Sequence, residues 1–168
     1  NMSLDFLPLK SYANIVEGNA LRIDWETVVP KDKLNYIMGN PPFVGARLMS
    51  KEQKDDVVAV FGAKWKNAGN LDYVSCWYKK AADLMKGTYI RTALVSTNSV
   101  SQGESVAILW KPLFEDGVHI DFAHRTFRWD SEASVKAHVH CVIVGFSTAY
   151  NPREKQLYSS ERMQLVKN

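Results

Sequence analysis

The sequence predicts an α/β fold, in which a sheet carries helices on its faces. Short apolar runs typical of buried strands alternate with longer stretches whose apolar residues recur at helical spacing. Two of the apolar runs end abruptly, in a rigid turn at residues 40–42 and a polar turn at residues 97–99. The 168 residues are 46% hydrophobic and 11% aromatic, which is enough to build the core of one domain.

The elements follow one another along the chain as strands and helices of ordinary length. Strands are predicted at 14–21, 34–38, 88–96, 118–124 and 137–146, and helices at 51–61, 70–87 and 104–114. Ser50 and Gln53 have the spacing of a capping box at the start of the first helix, and Asn70 is expected to cap the second. Pro112 should distort the last turn of the third helix.

Charge and cysteine content narrow the possible partners and compartment. Lys plus Arg number 21 against 18 for Asp plus Glu, so the formal charge of +3 allows a polyanionic partner without requiring one. Cys76 and Cys141 lie in apolar surroundings without metal-ligand or disulfide spacing. No apolar run approaches the ~20 residues of a membrane span, and no signal sequence is evident. We therefore expect a cytoplasmic protein without a membrane partner.

The turn Asn40-Pro41-Pro42-Phe43 is the segment with the clearest chemistry. Each proline fixes φ and lacks an N–H, so the turn is rigid and presents carbonyl oxygens without competing donors. The Asn40 side-chain oxygen beside such a carbonyl can accept both hydrogens of an exocyclic amine, while Phe43 covers the face of a planar base. Two acceptors favour a pyramidal nitrogen that can attack an electrophilic methyl group. A turn that only ends a strand is the alternative.

These residues resemble a known family. Asn40 to Phe43 is similar to the Asn-Pro-Pro-aromatic motif of S-adenosylmethionine-dependent amino-methyltransferases, and Phe at the fourth position is usual in the DNA adenine-N6 branch. The run from Gly39 to Gly45, followed by Arg47 and residues 50–53, resembles the methylase part of MmeI-like type II restriction-modification enzymes. The resemblance implies a class I methyltransferase (Rossmann-like) sheet, S-adenosyl-L-methionine as cofactor, double-stranded DNA as partner, and Asn40, Pro41, Pro42 and Phe43 as catalytic residues.

The resemblance also implies cofactor contacts. Residues 18–21 are similar to the motif that ends the family's third strand, where an acidic or amide residue contacts the adenine of the cofactor. Asn19 stands where Asp is usual, and its amide can both donate and accept. A Gly-Asn turn without a ligand fits residues 18–21 equally well. With Asp72, which lies in a motif that packs against the cofactor, the implied cofactor-binding residues are Asn19, Ala20, Asn40 and Asp72.

Target-base and DNA contacts follow from the same resemblance. The family places an aromatic residue in the loop before the last strand, where it stacks on the extruded base opposite Phe43; Trp129 is favoured and Phe127 is the alternative. Arg47 and Lys51 would border the DNA and contact phosphates, although a solvated helix face is the simpler interpretation. No metal site is predicted, because the two histidines of the last strand have no third ligand at useful spacing.

We expect three parts along the chain. Residues 1–13 would be a linker or a cloning remnant, residues 14–147 a catalytic-region fragment, and residues 148–168 a polar connection toward another domain. No Gly-rich motif precedes Asn19, so the main cofactor loop and the first cofactor-binding strands are expected to lie outside this chain, as are target-recognition and nuclease domains. Residues 35–38 would then form a sheet edge, which residues 14–21 or a second copy of the chain would cover.

Three functions remain open at this stage. The favoured one is methylation of adenine N6 in DNA by a restriction-modification enzyme, of which this chain is the catalytic and target-base half and is inactive alone. A methyltransferase acting on RNA or on a protein amide is the second, because the turn suits any planar NH₂ group. The third is a non-catalytic nucleic-acid-binding module that keeps the fold. Methyl transfer to defined substrates would separate them.

Overall fold

The computed structural model describes residues 14–129, 139–159 and 163–166. The helices are α1 (Lys51–Phe61), α2 (Ser75–Met85) and α3 (Lys111–Glu115), the last preceded by a π-helical turn at Val106–Trp110. The strands are β1 (Tyr36–Gly39), β2 (Arg91–Thr97), β3 (His119–Trp129), β4 (Val139–Ser147), β5 (Lys155–Tyr158) and β6 (Met163–Val166). The predicted α/β class is confirmed.

The strands form one sheet in the order β1-β2-β4-β3-β5-β6. β1 and β2 are parallel, β4 is antiparallel to both β2 and β3, and β3 is parallel to β5. β1, β2 and β3 therefore run in the same direction, and their carboxyl ends lie at one edge of the sheet. Polar turns at that edge are where ligands of open α/β sheets gather.

A buried aromatic cluster holds α2 and the π-helical turn against the sheet. The rings of Tyr78 and Phe146 stack with centroids 5.2 Å apart, and Trp110 meets Tyr78 edge-on at 5.3 Å. The polar atoms of these rings form hydrogen bonds. Tyr78 Oη and Ser96 Oγ lie 2.7 Å apart, and Trp110 Nε1 donates to the Val100 carbonyl at 2.7 Å. The core therefore fixes the carboxyl end of β2, from which one of the candidate site loops leaves.

The predicted start of α1 is confirmed, whereas the predicted start of α2 is wrong. The capping box is present, because Gln53 N donates to Ser50 Oγ at 3.2 Å and Ser50 N donates to Gln53 Oε1 at 3.0 Å. Asn70 does not cap α2. It ends a short 3-10 turn, Ala68–Asn70, after which the backbone is extended at Leu71, and α2 begins only at Ser75.

Residues 14–21 do not form the predicted strand, and their expected pairing with the edge near residues 35–38 is wrong. The chain turns there instead, with Gly18 at φ +151° and with Leu21 N donating to Asn19 Oδ1 at 2.9 Å. Within the described part of the chain, β1 pairs with β2 alone. Its other edge is open, and Tyr36 and Met38 are 66% and 81% exposed.

The second half of the sheet extends further than predicted. β3 continues through residues 125–129, which were expected to begin a loop, and residues 130–138 lie outside the described ranges. β5 and β6 come from the stretch expected to be a polar connection. An extra residue at Asp121 forms a bulge in β3, and Ser147 and Asn151 both donate to its carboxylate at 2.7 Å.

Candidate active site

The Asn-Pro-Pro-Phe turn leaves β1 at the carboxyl edge of the sheet. Pro41 is buried, Phe43 is half-buried, and Asn40 and Pro42 are exposed. The Asn40 side chain forms no hydrogen bond with any residue that the structure describes. A buried proline next to a free amide is a rigid acceptor site, because the proline fixes the backbone while the amide oxygen stays available to a ligand.

The segment that follows the turn is fixed by Asp72 and Tyr73, which lie shortly before α2. Val44 accepts a hydrogen bond through its carbonyl oxygen from Tyr73 N at 2.9 Å. Ala46 N donates to Asp72 Oδ1 at 3.0 Å. Both partners lie far from the turn in sequence, so tertiary contacts, rather than the local sequence, define the path of the chain after Phe43.

Asp72 also reaches the loop that follows β2. Its Oδ2 atom accepts a short hydrogen bond from Ser99 Oγ, and Ser99 Oγ lies 2.7 Å from Thr97 Oγ1. Because the hydroxyl proton of Ser99 is committed to the carboxylate, Thr97 is the donor of the second bond. One carboxylate thus joins the loops that leave two neighbouring parallel strands.

Asn19 is held by a buried carboxylate on α1. Asp56 Oδ2 accepts from Asn19 Nδ2 at 2.9 Å and from Tyr73 Oη at 2.7 Å, while its Oδ1 accepts from Arg22 Nε at 2.7 Å. Burial raises the pKa of Asp56, but these three hydrogen bonds outweigh it and leave the pKa below its ordinary value. The pKa of Tyr73 rises to about 12 through burial and its bond to Asp56. Both amide atoms of Asn19 therefore have partners within the chain.

Ala20 lies in a segment that hydrogen bonds hold in place. Its carbonyl accepts from Trp25 Nε1 at 2.8 Å. From α2, Lys80 Nζ donates to the carbonyls of Leu21 at 2.8 Å and Ile23 at 2.6 Å, and burial lowers the pKa of this lysine. Residues 19–25 are thus fixed against α1 and α2 although they belong to no strand.

The two candidate clamp residues lie at the carboxyl end of β3. Phe127 is in register with Cys141, which is itself in register with Thr97, so Phe127 is level with the end of β2. The Phe127 ring is half-buried and meets His124 edge-on, with centroids 5.1 Å apart. Trp129 pairs with Val139 through its backbone as the final residue of β3.

The candidate DNA-contacting residues follow the turn along the chain. Arg47 lies in a 3-10 turn, Ala46–Leu48, and Lys51 is the first residue of α1. Both side chains are exposed, and neither forms an ion pair with a described residue. Both cations are therefore available to solvent near the turn.

The cavities lie elsewhere. One cavity among the described residues, of about 720 Å³, is at the opposite end of β1 and β2, where Tyr36, Tyr89 and Arg91 line it. The described ranges contain no cluster of three His, Cys, Asp or Glu side chains that could hold a metal ion, and His138 falls outside those ranges. Among the described residues, no helix is long and apolar enough to cross a membrane.

Asp56, Tyr73 and Ser99 carry no sequence motif that marks them as site residues. The sequence signal for Asp56 was weak: it is an acidic residue directly before the apolar second half of α1, next to the buried Val57. Ser99 belongs to the polar turn that was noted after β2, but no local feature connects it with Asp72, which lies 27 residues earlier.

The sheet order and the Asn-Pro-Pro-Phe turn at its carboxyl edge define a methyltransferase of the class I-like fold. The sequence profile described as "MmeI, DNA-methyltransferase domain" matches residues 1–159. The chain therefore belongs to the MmeI DNA-methyltransferase domain family.

Two relatives and one distant structure illustrate this similarity. "DNA methyltransferase A" of Bacillus subtilis (strain 168) is 42% identical over 164 residues, which cover 96% of the chain and 18% of that relative. The type IIL restriction-modification enzyme MmeI, solved in complex with DNA, is 46% identical with a TM-score of 0.85, over 95% of the chain and 22% of MmeI. A type I restriction-modification methyltransferase subunit from Streptococcus thermophilus shares the fold at 18% identity and a TM-score of 0.52, over 84% of the chain and 29% of the subunit. The chain thus spans about a fifth of the length of its first two relatives.

Proposed function

We propose that this chain is the catalytic and target-base part of an enzyme that transfers a methyl group from S-adenosyl-L-methionine to N6 of adenine in double-stranded DNA, within a restriction-modification system. The observation that carries the proposal is Asn40: an exposed amide without a partner among the described residues, placed by a buried proline at the carboxyl end of a parallel strand. Membership of the MmeI family supports DNA as the substrate.

The turn acts on the amine as a pair of acceptors. The Asn40 side-chain oxygen and the Pro41 carbonyl each accept one N6 hydrogen, which localises the nitrogen lone pair that the adenine ring otherwise delocalises. The cofactor, when bound, supplies an electrophilic methyl group on a sulfonium. The nitrogen forms the new N–C bond as the S–C bond breaks, the sulfur keeps the electron pair, and one N6 proton passes to solvent. No ionisable base in the turn is required.

Two of the candidate cofactor-binding residues, Asn19 and Asp72, already form side-chain hydrogen bonds within the chain. Both amide atoms of Asn19 are engaged, by Asp56 and by Leu21 N, so we propose that residues 19 and 20 contribute backbone groups and shape to the adenine end of the cofactor. Both oxygens of Asp72 are also engaged. Parts of the full-length enzyme outside this chain would supply the rest of the cofactor site, target recognition and any nuclease.

The target base would lie between Phe43 and an aromatic side chain of β3. β1 and β3 are three positions apart in the sheet, which at ordinary strand spacing is roughly 14 Å. A base sandwiched between two rings needs only about half of that distance, so the groups must approach each other beyond the strand ends. This favours Trp129, the final residue of β3, over Phe127. An extruded base would gain roughly 1–3 kcal/mol per stacking partner.

DNA phosphates would meet Arg47 and Lys51. Both are exposed and unpaired among the described residues, and both follow the turn within a few positions. Each contact to a phosphate releases counterions, so binding should weaken as salt rises. Neutralising either residue should therefore reduce the salt dependence of DNA binding without changing which base is methylated.

Labelled methyl transfer by the full-length enzyme tests the proposal. The protein is incubated with methyl-labelled S-adenosyl-L-methionine and separate DNA, RNA and protein substrates, and the labelled products are digested and separated. We expect label in N6-methyladenine from duplex DNA. Label in cytosine, RNA or a protein amide would replace the proposed substrate, and DNA binding without any transfer would indicate a non-catalytic module.

A further inference from the structure

Asp72 joins three segments that meet at the candidate site. Its Oδ1 accepts from Ala46 N at 3.0 Å, three residues after Phe43, and its Oδ2 accepts from Ser99 Oγ in the loop after β2. The neighbouring Tyr73 donates its backbone N–H to Val44 and its hydroxyl to Asp56, the carboxylate that holds Asn19. Asp72 and Tyr73 thus contact the segment after the turn and the loop after β2 directly, and they are connected to Asn19 through Asp56.

The hydrogen bonds that Asp72 accepts are stronger than ordinary ones. A carboxylate that accepts from an N–H and a hydroxyl forms charge-assisted hydrogen bonds, which are roughly twice as strong as neutral ones. Gly45 packs closely on the same group, because a Cβ added there would lie 3.7 Å from Asp72 Oδ1. The carboxylate is half-buried, so solvent competes only in part for its oxygens. The Asp72 side chain therefore holds the segment after the turn together with the backbone bond from Tyr73 to Val44.

The same residue type could instead bind the cofactor directly, as the resemblance to methyltransferases implied. A direct cofactor contact would use the lone pairs of Asp72 that remain, whereas the two observed hydrogen bonds engage one lone pair of each oxygen with a group of the protein. Ser99 makes the distinction testable, because it shares the bond to Asp72 and extends it to Thr97. A role in holding the loops predicts that Ser99 and Asp72 act together.

We propose that Asp72 is a positioning residue, which locks the segment after the Asn-Pro-Pro-Phe turn to the loop after β2 and so sets where the Asn40 and Pro41 acceptors lie. The inference rests on the proposed methyl transfer for its functional consequence. In this role Asp72 binds Ala46 and Ser99 of the protein and does not contact the cofactor. A displacement of about 1 Å at a reacting centre can cost on the order of 10²-fold in rate.

Variants of the full-length enzyme separate the two roles. Asp72→Ala removes both acceptors, Asp72→Asn keeps an oxygen for Ala46 N and an amide for Ser99, and Ser99→Ala removes one bond. Ser101→Ala is the matched control, since Ser101 Oγ donates to the Asn98 carbonyl in the same loop, at 2.9 Å, and to no other residue that the structure describes. We expect kcat to fall by about 10–100-fold in Asp72→Ala and by less in Asp72→Asn and Ser99→Ala. The cofactor Kd should change by less than about twofold, and the control should match the wild type.

Hydrogen exchange at the Ala46 amide gives a readout that does not depend on activity. Asp72→Ala should remove its protection, Asp72→Asn should keep part of it, and Ser101→Ala should leave it unchanged. A cofactor Kd raised tenfold with kcat intact would make Asp72 a cofactor ligand and overturn the proposal, as would unchanged exchange in Asp72→Ala. If Asp72→Ala does not fold, Asp72→Asn and Ser99→Ala decide. If the wild type transfers no methyl group, the proposed function fails while the exchange result still decides whether Asp72 holds the loop.

Discussion

The indole N–H of Trp65 donates to the carbonyl oxygen of Ile108 at 2.8 Å. That carbonyl is the one that residue 112 would bond in a regular α-helix, but Pro112 has no N–H to give. The helix widens into a π-helical turn just before the proline, and a side chain from the loop after α1 supplies the donor. The proline was expected to distort the helix end, and this contact is how the protein accommodates it.

Trp65→Phe should therefore destabilise the protein by about 1–2 kcal/mol, the cost of leaving a half-buried carbonyl without this donor. Urea unfolding measured by circular dichroism would give the difference. In a Pro112→Ala background the residue at 112 regains an N–H, so the same substitution should cost less. An equal cost in both backgrounds would mean that packing of the indole, rather than its hydrogen bond, matters.

Asn40→Ala in the full-length enzyme should lower methyl transfer by on the order of 10²-fold or more, because it removes one of two acceptors for the target amine. Its folding should be unchanged, since the side chain is exposed. Asn35→Ala is the control: another exposed asparagine, at the other end of the same strand. Turnover near the wild-type level in Asn40→Ala would remove Asn40 from the mechanism.

Asp56 should make stability depend on pH in the acid range. Its folded-state pKa is lowered, so its contribution is fully present above the ordinary value near 4 and is lost as the pH falls through the lowered pKa. Asp56→Asn should cost about 2 kcal/mol at pH 7, where the charged acceptor is lost. The gap between the two proteins should narrow as the pH drops below about 4, measured by denaturant titration at several pH values. A gap that stays constant down to pH 2 would contradict the hydrogen-bond assignment.

Gly145 lies beneath an aromatic ring of the neighbouring strand. A Cβ at this position would come within 2.1 Å of the Phe122 ring, so Gly145→Ala should cost roughly 1–3 kcal/mol through overpacking. In a Phe122→Ala background the same substitution should cost less, whereas Gly69→Ala, whose Cβ would meet nothing within 4 Å, should be tolerated. Thermal melts of the two single variants, their double variant and Gly69→Ala would check this. If Gly145→Ala costs as much without the Phe122 ring as with it, the ring contact is not the cause.

The open edge of β1 predicts that a second copy of the chain can pair with it. Tyr36 and Met38 are exposed along this edge, and unpaired backbone groups attract another strand. We expect the isolated chain to associate at high concentration, seen by light scattering after gel filtration. Met38→Lys should weaken the association, because a charge opposes edge pairing. A monomer at all concentrations would rule out the edge-strand dimer.

Local signals predicted the parts of the fold that local interactions determine. Ser50 and Gln53 predicted the start of α1 because a capping box is complete within four residues. The strand predicted at residues 14–21 is wrong. Ile15 and Val16 favour strands, but a strand needs a neighbouring strand to pair with, and here the two side chains are more than half exposed. β5 and β6 were missed because each is only four residues long and depends on pairing with distant or later segments.

The candidate site also combines a feature that the local sequence determines with contacts between distant residues. The turn at Asn40 was identifiable because prolines impose their geometry on the chain wherever they occur. The bonds of Asp72 to Ala46 and Ser99 join residues 26 and 27 positions apart, and no periodicity or motif records such a pairing. Sequence therefore indicated the candidate groups for the chemistry and not what holds them in place.

The parallel pairing of β1 with β2 sets an order of events during synthesis. Tyr36 pairs with Arg91, so the strand that carries the turn leaves the ribosome more than fifty residues before its partner. Asp72 and Ser99, which fix the following segment, also emerge later. Distant pairings of this kind form slowly, because a long loop must close first. The turn is thus translated before the segments that fix it and reaches its working geometry only after they have emerged, which leaves the strand Tyr36–Gly39 without its partner in the interval.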